Sequence, residues 1–275
     1  MRRIIGRIAL VLGLAVAAVG VGLAGSTLGT AQAGERTVFL PYPARAAQSS
    51  LEQRADSGRV HALLQAARGT NPVMCELAAN VVDGRSGWGS GWDDSFRAGG
   101  SMDPVAADVA SWVRHHDVDS TAVPLLRGAL ADPDWCVRRL AAPLLARVHS
   151  ESATQAMLAA LTASDAGTRE MGALALGFAD DPRSVTPLIA RLHDDSARVR
   201  ATAAWALGEL ERRESVRPLI DALGDPDALV RESAARALGE VEDASAIPAL
   251  TDVLKSDRAA AVRRAAAWAL GEIVG

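Results

Sequence analysis

The 275-residue sequence predicts an all-α protein, an α-solenoid of stacked antiparallel helical hairpins. Three observations carry that expectation. A segment recurs at residues 199–210 (VRATAAWALGEL), 230–241 (VRESAARALGEV) and 262–273 (VRRAAAWALGEI), at spacings of 31 and 32 residues. A fixed period of that length is the signature of a repeat architecture. Within one copy, Val199, Ala203, Ala206, Leu207 and Leu210 stand at offsets 0, 4, 7, 8 and 11, one face of an α-helix. Apolar residues make up 49% of the chain and aromatics only 4%, so Ala, Leu and Val must build the core, which suits closely packed helices.

The first 33 residues stand apart. Arg2, Arg3 and Arg7 precede an uncharged apolar run from Ile8 to Gly25, and Ala31-Gln32-Ala33 supplies small residues ahead of Gly34. This is the pattern of a secretory signal peptide, so residues 1–33 are set aside from the fold. An uncleaved membrane anchor is the other reading; the glycines of the run and the Ala-x-Ala site favour cleavage. Periplasmic or secreted location is the expectation, with no membrane attachment after cleavage. Removing three of the 29 basic residues leaves 26 against 33 acids, a formal charge of −7. Such a chain lacks the basic footprint that phosphate neutralisation requires, so no nucleic-acid partner is expected.

Residues 34–56 read as an extended linker, with Pro41 and Pro43 fixing the backbone. The repeat domain is placed at 57–275. Its first unit is worn: Val60, Leu63 and Leu64 form one stripe, a turn runs from Gly69 to Pro72, and a second helix follows with Cys75 at the position of Arg231. Residues 84–103 interrupt the pattern with a Gly- and Ser-rich insertion holding Trp88, Trp92 and Phe96, which predicts a loop. Asp103 to His115 then resumes helical spacing. From Ser120 the units fall at about 120–151, 152–183, 184–214, 215–244 and 245–275. Ser184, Ser215 and Ser245 stand where first helices need N-caps, and Pro187, Pro218 and Pro248 lie in first turns, where proline removes no intrahelical bond.

Cys75 and Cys136 are the two cysteines. Both align at the start of a second helix. A whole repeat between them would hold them too far apart to bond, which makes buried free thiols the expectation.

The pattern of Pro-Leu in helix one, Asp in the turn, Val-Arg opening helix two and Ala-Leu-Gly-Glu near its end resembles HEAT repeats, specifically the short bacterial kind first associated with phycobilisome lyases. The resemblance is close over 184–275, fair over 120–183 and weak before that. It implies a structural ladder in which turn aspartates pair with helix arginines: Asp132 with Arg138, Asp194 with Arg200, Asp225 with Arg231 and Asp257 with Arg263. Arg169 lacks that partner, because Ala163 occupies the matching position, although Asp165 is near. Gly177, Gly208, Gly239 and Gly271 are expected to mark close helix approach, because a mid-helix glycine costs about 1 kcal/mol against alanine. The resemblance also implies a binding face on the second helices, and it brings a bilin lyase or isomerase activity as an alternative function. An accessory role for an envelope peptidase or sensor is a further alternative.

No catalytic motif appears, and neither a cofactor nor a metal is expected. His115, His116, Asp117 and Asp119 hold ligand-type side chains, but adjacent residues on a helix point about 100° apart, so a surface helix end is the better reading. Candidate partner contacts are Trp205, Arg236 and Trp268, each three residues before the repeat glycine and off the buried stripe, together with Trp88 and Trp92 of the insertion. Seam filling is the competing role for the first two tryptophans. Leu270, Ile273 and Val274 predict an apolar edge on the last helix, open to self-association or a partner. The function expected is a non-enzymatic scaffold or adaptor of the bacterial envelope that binds another protein or peptide.

Overall fold

The computed structural model describes residues 57–71, 75, 79 and 118–275. Residues 1–33, read as a signal peptide, residues 34–56, read as a linker, Trp88, Trp92 and the histidine pair lie outside the described residues. Within them every regular element is a helix. The first, α1, spans 57–66 and buries Val60, Leu63 and Leu64 as its spacing predicts. Cys75 and Ala79 are both helical and buried. Five complete hairpins follow: α2 (Val123–Ala129) with α3 (Trp135–Ala146), α4 (Glu151–Leu161) with α5 (Ala166–Ala179), α6 (Val185–Arg191) with α7 (Ala197–Glu209), α8 (Val216–Ala222) with α9 (Ala228–Val241), and α10 (Ile247–Ser256) with α11 (Ala260–Val274). Second helices pack in a row, α3 on α5, α5 on α7, α7 on α9 and α9 on α11, while each first helix packs against its own second helix.

One continuous core runs along the stack. Leu126, Leu140, Leu161, Leu176, Leu188, Leu207, Leu219, Leu238, Leu250 and Ala266 are buried in it, so both helices of each hairpin contribute. At about 1.5–3 kcal/mol for each buried leucine, this shared core is the main term holding hairpins that cannot bury their stripes alone.

The serine caps are not formed as expected. α2, α6, α8 and α10 are each preceded by a 3-10 turn, and Ser184 and Ser215 already have helical backbone angles there. An N-cap needs an extended residue, so neither side chain caps its helix. Ser245 lies inside its 3-10 turn. Capping moves upstream to Asp119, Asp181 and Asp243, whose carboxylates accept from Thr121, Arg183 and Ser245 amides. Ser184 and Ser215 instead occupy a buried position shared by Ala122, Ala153 and Ala246.

The cysteines are also a correction. Cys75 and Cys136 form a disulfide, with Cα atoms 5.6 Å apart. The reason is that no repeat stands between their hairpins. Ser57 Oγ lies 2.7 Å from Thr121 Oγ1, the Gly69 amide donates to Asp134 at 2.8 Å, and Arg68 pairs with Asp132. α1 is therefore a direct neighbour of α2, although 64 residues separate those contacts in sequence.

Candidate functional site: the seams and the face they present

The turn between the helices of a hairpin brings an aspartate carboxylate next to the first turn of its own second helix. Asp194 Oδ1 accepts from the Ser196 amide at 3.0 Å, and Asp225 Oδ1 from the Asp227 amide at 2.8 Å. Placed so, each carboxylate faces the arginine of the preceding hairpin. Arg169 donates Nε and Nη2 to Asp194 at 2.8 Å each. Arg200 forks onto Asp225 at 2.8 and 3.0 Å, and Arg231 onto Asp257 at 2.7 and 3.1 Å. The remaining Nη1 of each arginine returns to its own turn: Arg169 to Ala163 and Ser164 carbonyls, Arg200 to Asp194, Arg231 to Asp225 and Arg263 to Asp257.

The ladder is therefore real but offset by one repeat from the sequence pairing. The pairs six residues apart meet through a backbone carbonyl, and the carboxylate serves the arginine about 25 residues earlier. Arg169, without an aspartate six residues before it, still meets the Ala163 carbonyl and forks onto Asp194. Arg138 is the exception: Ala163 stands where its carboxylate belongs, and its Nε is buried with no acceptor among the described residues. The first seam replaces the helix arginine with the disulfide and draws its ion pair from Arg68.

Charge follows this geometry. Burial pushes the Asp194 carboxyl up, but the Arg169 fork and the Ser196 amide outweigh it and hold the group down at about 2. Burial likewise opposes, and the Arg200 fork overcomes it, at Asp225, which is lowered. At Asp257 the Arg231 fork is the largest influence and again lowers the carboxyl. Bidentate, partly desolvated pairs of this kind are stronger than exposed ones and fix orientation as well as energy.

Beside the ladder the helices come close. A Cβ added at Gly208 would lie 2.7 Å from Ala237 Cα; at Gly177 it would lie 2.9 Å from Ala206 Cα, and at Gly239 2.8 Å from Ala269 Cα. Only a residue without a side chain fits there. Trp205 and Trp268 stand over these same glycines, each with Cζ3 2.8 Å from the added Cβ at Gly177 and Gly239 respectively. Trp205 is half-buried and meets Phe178 edge to face at a centroid distance of 5.1 Å. Trp268 is 38% exposed. Each indole thus fills a seam with one edge, the competing role foreseen for it, and shows the other edge to solvent. Arg236, between them in the repeat order, is exposed and pairs with Glu232 one helical turn away at 3.1 Å. Glu240 and Glu272 are exposed on the turn that follows, and Leu229 is 51% exposed nearer the start of α9. Residues Trp205, Arg236 and Trp268 hold one register position on consecutive second helices, which makes a mixed aromatic and charged strip.

A model of HEAT repeats matches residues 122–199 and again 185–271. The chain is a HEAT-repeat protein. Solved structures similar to it include the complex of CpcE and CpcF of phycocyanin lyase from Nostoc sp. PCC7120, at 26% identity and a TM-score of 0.48, over 55% of this chain. The HEAT-repeat chain spans 65% of the length of that lyase chain. A Kap121p mutant is similar at 15% identity and a TM-score of 0.51, over 80% of this chain and 25% of that one. A designed armadillo repeat protein in complex with the peptide (KR)4 is similar at 16% identity and a TM-score of 0.42, over 77% and 98%. Among curated protein sequences none matches. Among the described residues no group of three or more His, Cys, Asp or Glu is placed to hold a metal, and no helix is long and apolar enough to cross a membrane.

Proposed function

We propose that this HEAT-repeat protein is an exported, non-enzymatic scaffold of the bacterial envelope, holding a protein or peptide partner along its second helices. The observation that carries the reading is the strip of Trp205, Arg236 and Trp268. Tryptophan and arginine are enriched among residues that dominate binding energy. Here the indoles are immobilised by the glycine seams beneath them, so little side-chain entropy is lost when a partner covers them. Export is supported by the basic and apolar N-terminal pattern and by the Cys75–Cys136 disulfide, since disulfides persist mainly in oxidising compartments.

The test is comparative capture from envelope extract with the mature chain, its Arg236→Glu variant and its Trp268→Ala variant. Arg236 makes one exposed ion pair, so its replacement should leave melting within about 0.5 kcal/mol of the parent. The expected result is a partner retained by the parent and lost by both variants. An identical set of captured proteins for all three would remove this face from the function.

A further inference from the structure

In four hairpins the turn carboxylate accepts from the amide two residues on: Asp132 from Asp134, Asp194 from Ser196, Asp225 from Asp227 and Asp257 from Ala259, at 2.7–3.0 Å. Each of those carboxylates is also held by an arginine fork of the preceding hairpin, from Arg68, Arg169, Arg200 and Arg231 in turn. The α4–α5 hairpin keeps the donors and lacks the acceptor, because Ala163 stands in place of the aspartate. Arg138 still brings its guanidinium. Nη1 returns to the Asp132 and Pro133 carbonyls, while Nε is buried without an acceptor and Nη2 makes no hydrogen bond among the described residues. The fork does reach this hairpin, since a Cβ added at Gly167 would lie 3.6 Å from both Arg138 Nε and Nη2. The Asp165 amide, two residues after Ala163, donates to no atom among the described residues. All three donors that hold a carboxylate elsewhere are therefore present and unused.

We propose that the seam of Arg138 and Ala163 is a binding site for an external carboxylate, received by Arg138 Nε and Nη2 and by the Asp165 amide. The chemistry of the ligand follows from the other seams, where the same donor set holds a carboxylate each time. A planar fork matches the two oxygens of such a group. Size agrees, because alanine differs from aspartate by the carboxylate alone. A buried charged donor without an acceptor has lost its hydration and gained nothing, and an entering anion restores that loss. Asp165 does not fill the place itself: its Oδ2 caps α5, accepting from the Thr168 amide at 2.7 Å and the Thr168 hydroxyl at 2.9 Å. Nor does its charge bar an anion. Asp134 and Asp227 hold the same position beside Asp132 and Asp225, and those carboxylates sit in their forks. A free small acid and an acidic side chain of a peptide present the same group. The site is independent of the tryptophan strip, and either can hold without the other.

The experiment titrates the full chain with sodium acetate at neutral pH, with sodium chloride at equal ionic strength as the control, and follows it by proton–nitrogen NMR. The expected result is that the Asp165 amide and Arg138 Nε–H signals move together and saturate with acetate but not with chloride. Arg138→Gln should weaken the acetate affinity read at the Asp165 amide about tenfold or more, as expected for lost charge-assisted bonds. Ala163→Asp, which supplies the carboxylate from within and leaves both donors in place, should put the Asp165 amide at its bound position before any acetate is added and abolish the titration. A blocked Gly-Asp-Gly peptide, titrated in parallel, separates the two sources. Saturation at lower concentration than acetate makes the natural ligand an acidic side chain of a partner, and the reverse order makes it a free small acid. Signals that do not saturate, that chloride moves equally, or that titrate unchanged in Ala163→Asp would overturn the proposal.

Discussion

Gly208 and Gly271 hold the same place in the repeat but opposite surroundings, and replacing each by alanine should move stability in opposite directions. At Gly208 the new methyl would stand 2.7 Å from Ala237 Cα and 2.8 Å from its Cβ. Carbon atoms in ordinary contact are about 3.5–4.0 Å apart, so α7 and α9 would have to separate by about 1 Å. The atom in the way is backbone, with no rotamer to yield. Overpacking of this kind costs about 1–3 kcal/mol, against about 1 kcal/mol gained from removing a helical glycine. The expected net loss is about 0–2 kcal/mol. At Gly271 nothing lies within 4 Å of the new Cβ, so only the propensity gain remains, about 0.5–1 kcal/mol near the helix end. The two variants should therefore differ by about 2 kcal/mol, or about 4–8 °C in Tm for a repeat domain of this size. Thermal melting followed by circular dichroism gives the first comparison. Amide exchange across α9 gives the second, because repeat arrays open in parts and a single Tm can average over them. If both variants rise together, the close approach of α7 and α9 is refuted.

Other seams offer further tests. Ala163→Asp should give Arg138 the carboxylate that its neighbours have and stabilise the second seam by about 1 kcal/mol, read by urea denaturation; the reasoning fails if Arg138→Gln leaves that gain intact. Ser184→Ala should be neutral or slightly stabilising, because the Ser184 hydroxyl is buried without a partner among the described residues and Ala246 fills the same position. Acid should weaken the stack. Asp194, at about 2, and the lowered Asp225 and Asp257 lie below the ordinary carboxyl value of 3.8 that an unfolded chain restores. Their contribution is full above about pH 4 and is lost as pH falls toward about 2, so a pH series of unfolding free energies should be level above that window and fall within it.

How much of this was legible in the sequence differs from residue to residue. The hairpins were, because Val199, Ala203, Leu207 and their counterparts repeat a local period that helix geometry reads directly. The close approaches at Gly177, Gly208 and Gly239 were legible for the same reason, whereas Gly271, expected to mark another, has nothing within 4 Å of an added Cβ. The ladder was legible only in its members. A fixed repeat places one aspartate six residues before an arginine and another about 25 after it, and spacing alone does not say which carboxylate the fork will hold. The serine caps failed because a 3-10 turn moves the start of each helix two or three residues upstream, which places Ser184 and Ser215 in buried core positions. The disulfide failed for a topological reason. Cys75 and Cys136 both stand near the start of a second helix, two register positions apart, but the helical spacing of residues 103–115 reads as part of a further repeat between them, whereas α1 lies directly against α2. The seam role of Trp205 and Trp268 depends on a glycine in the preceding hairpin, a contact of about 30 residues' separation that no single helix pattern contains.

The central claim is an unbroken stack in which the hairpin of Arg68 and Cys75 lies directly on the hairpin of Asp132 and Cys136. Peptide mapping by mass spectrometry of the chain, isolated without reductant, tests it most directly. The account predicts one cross-linked pair of peptides joining Cys75 to Cys136, with no free thiol until reductant is added. Two freely alkylated cysteines would contradict both the direct stacking and the proposed export.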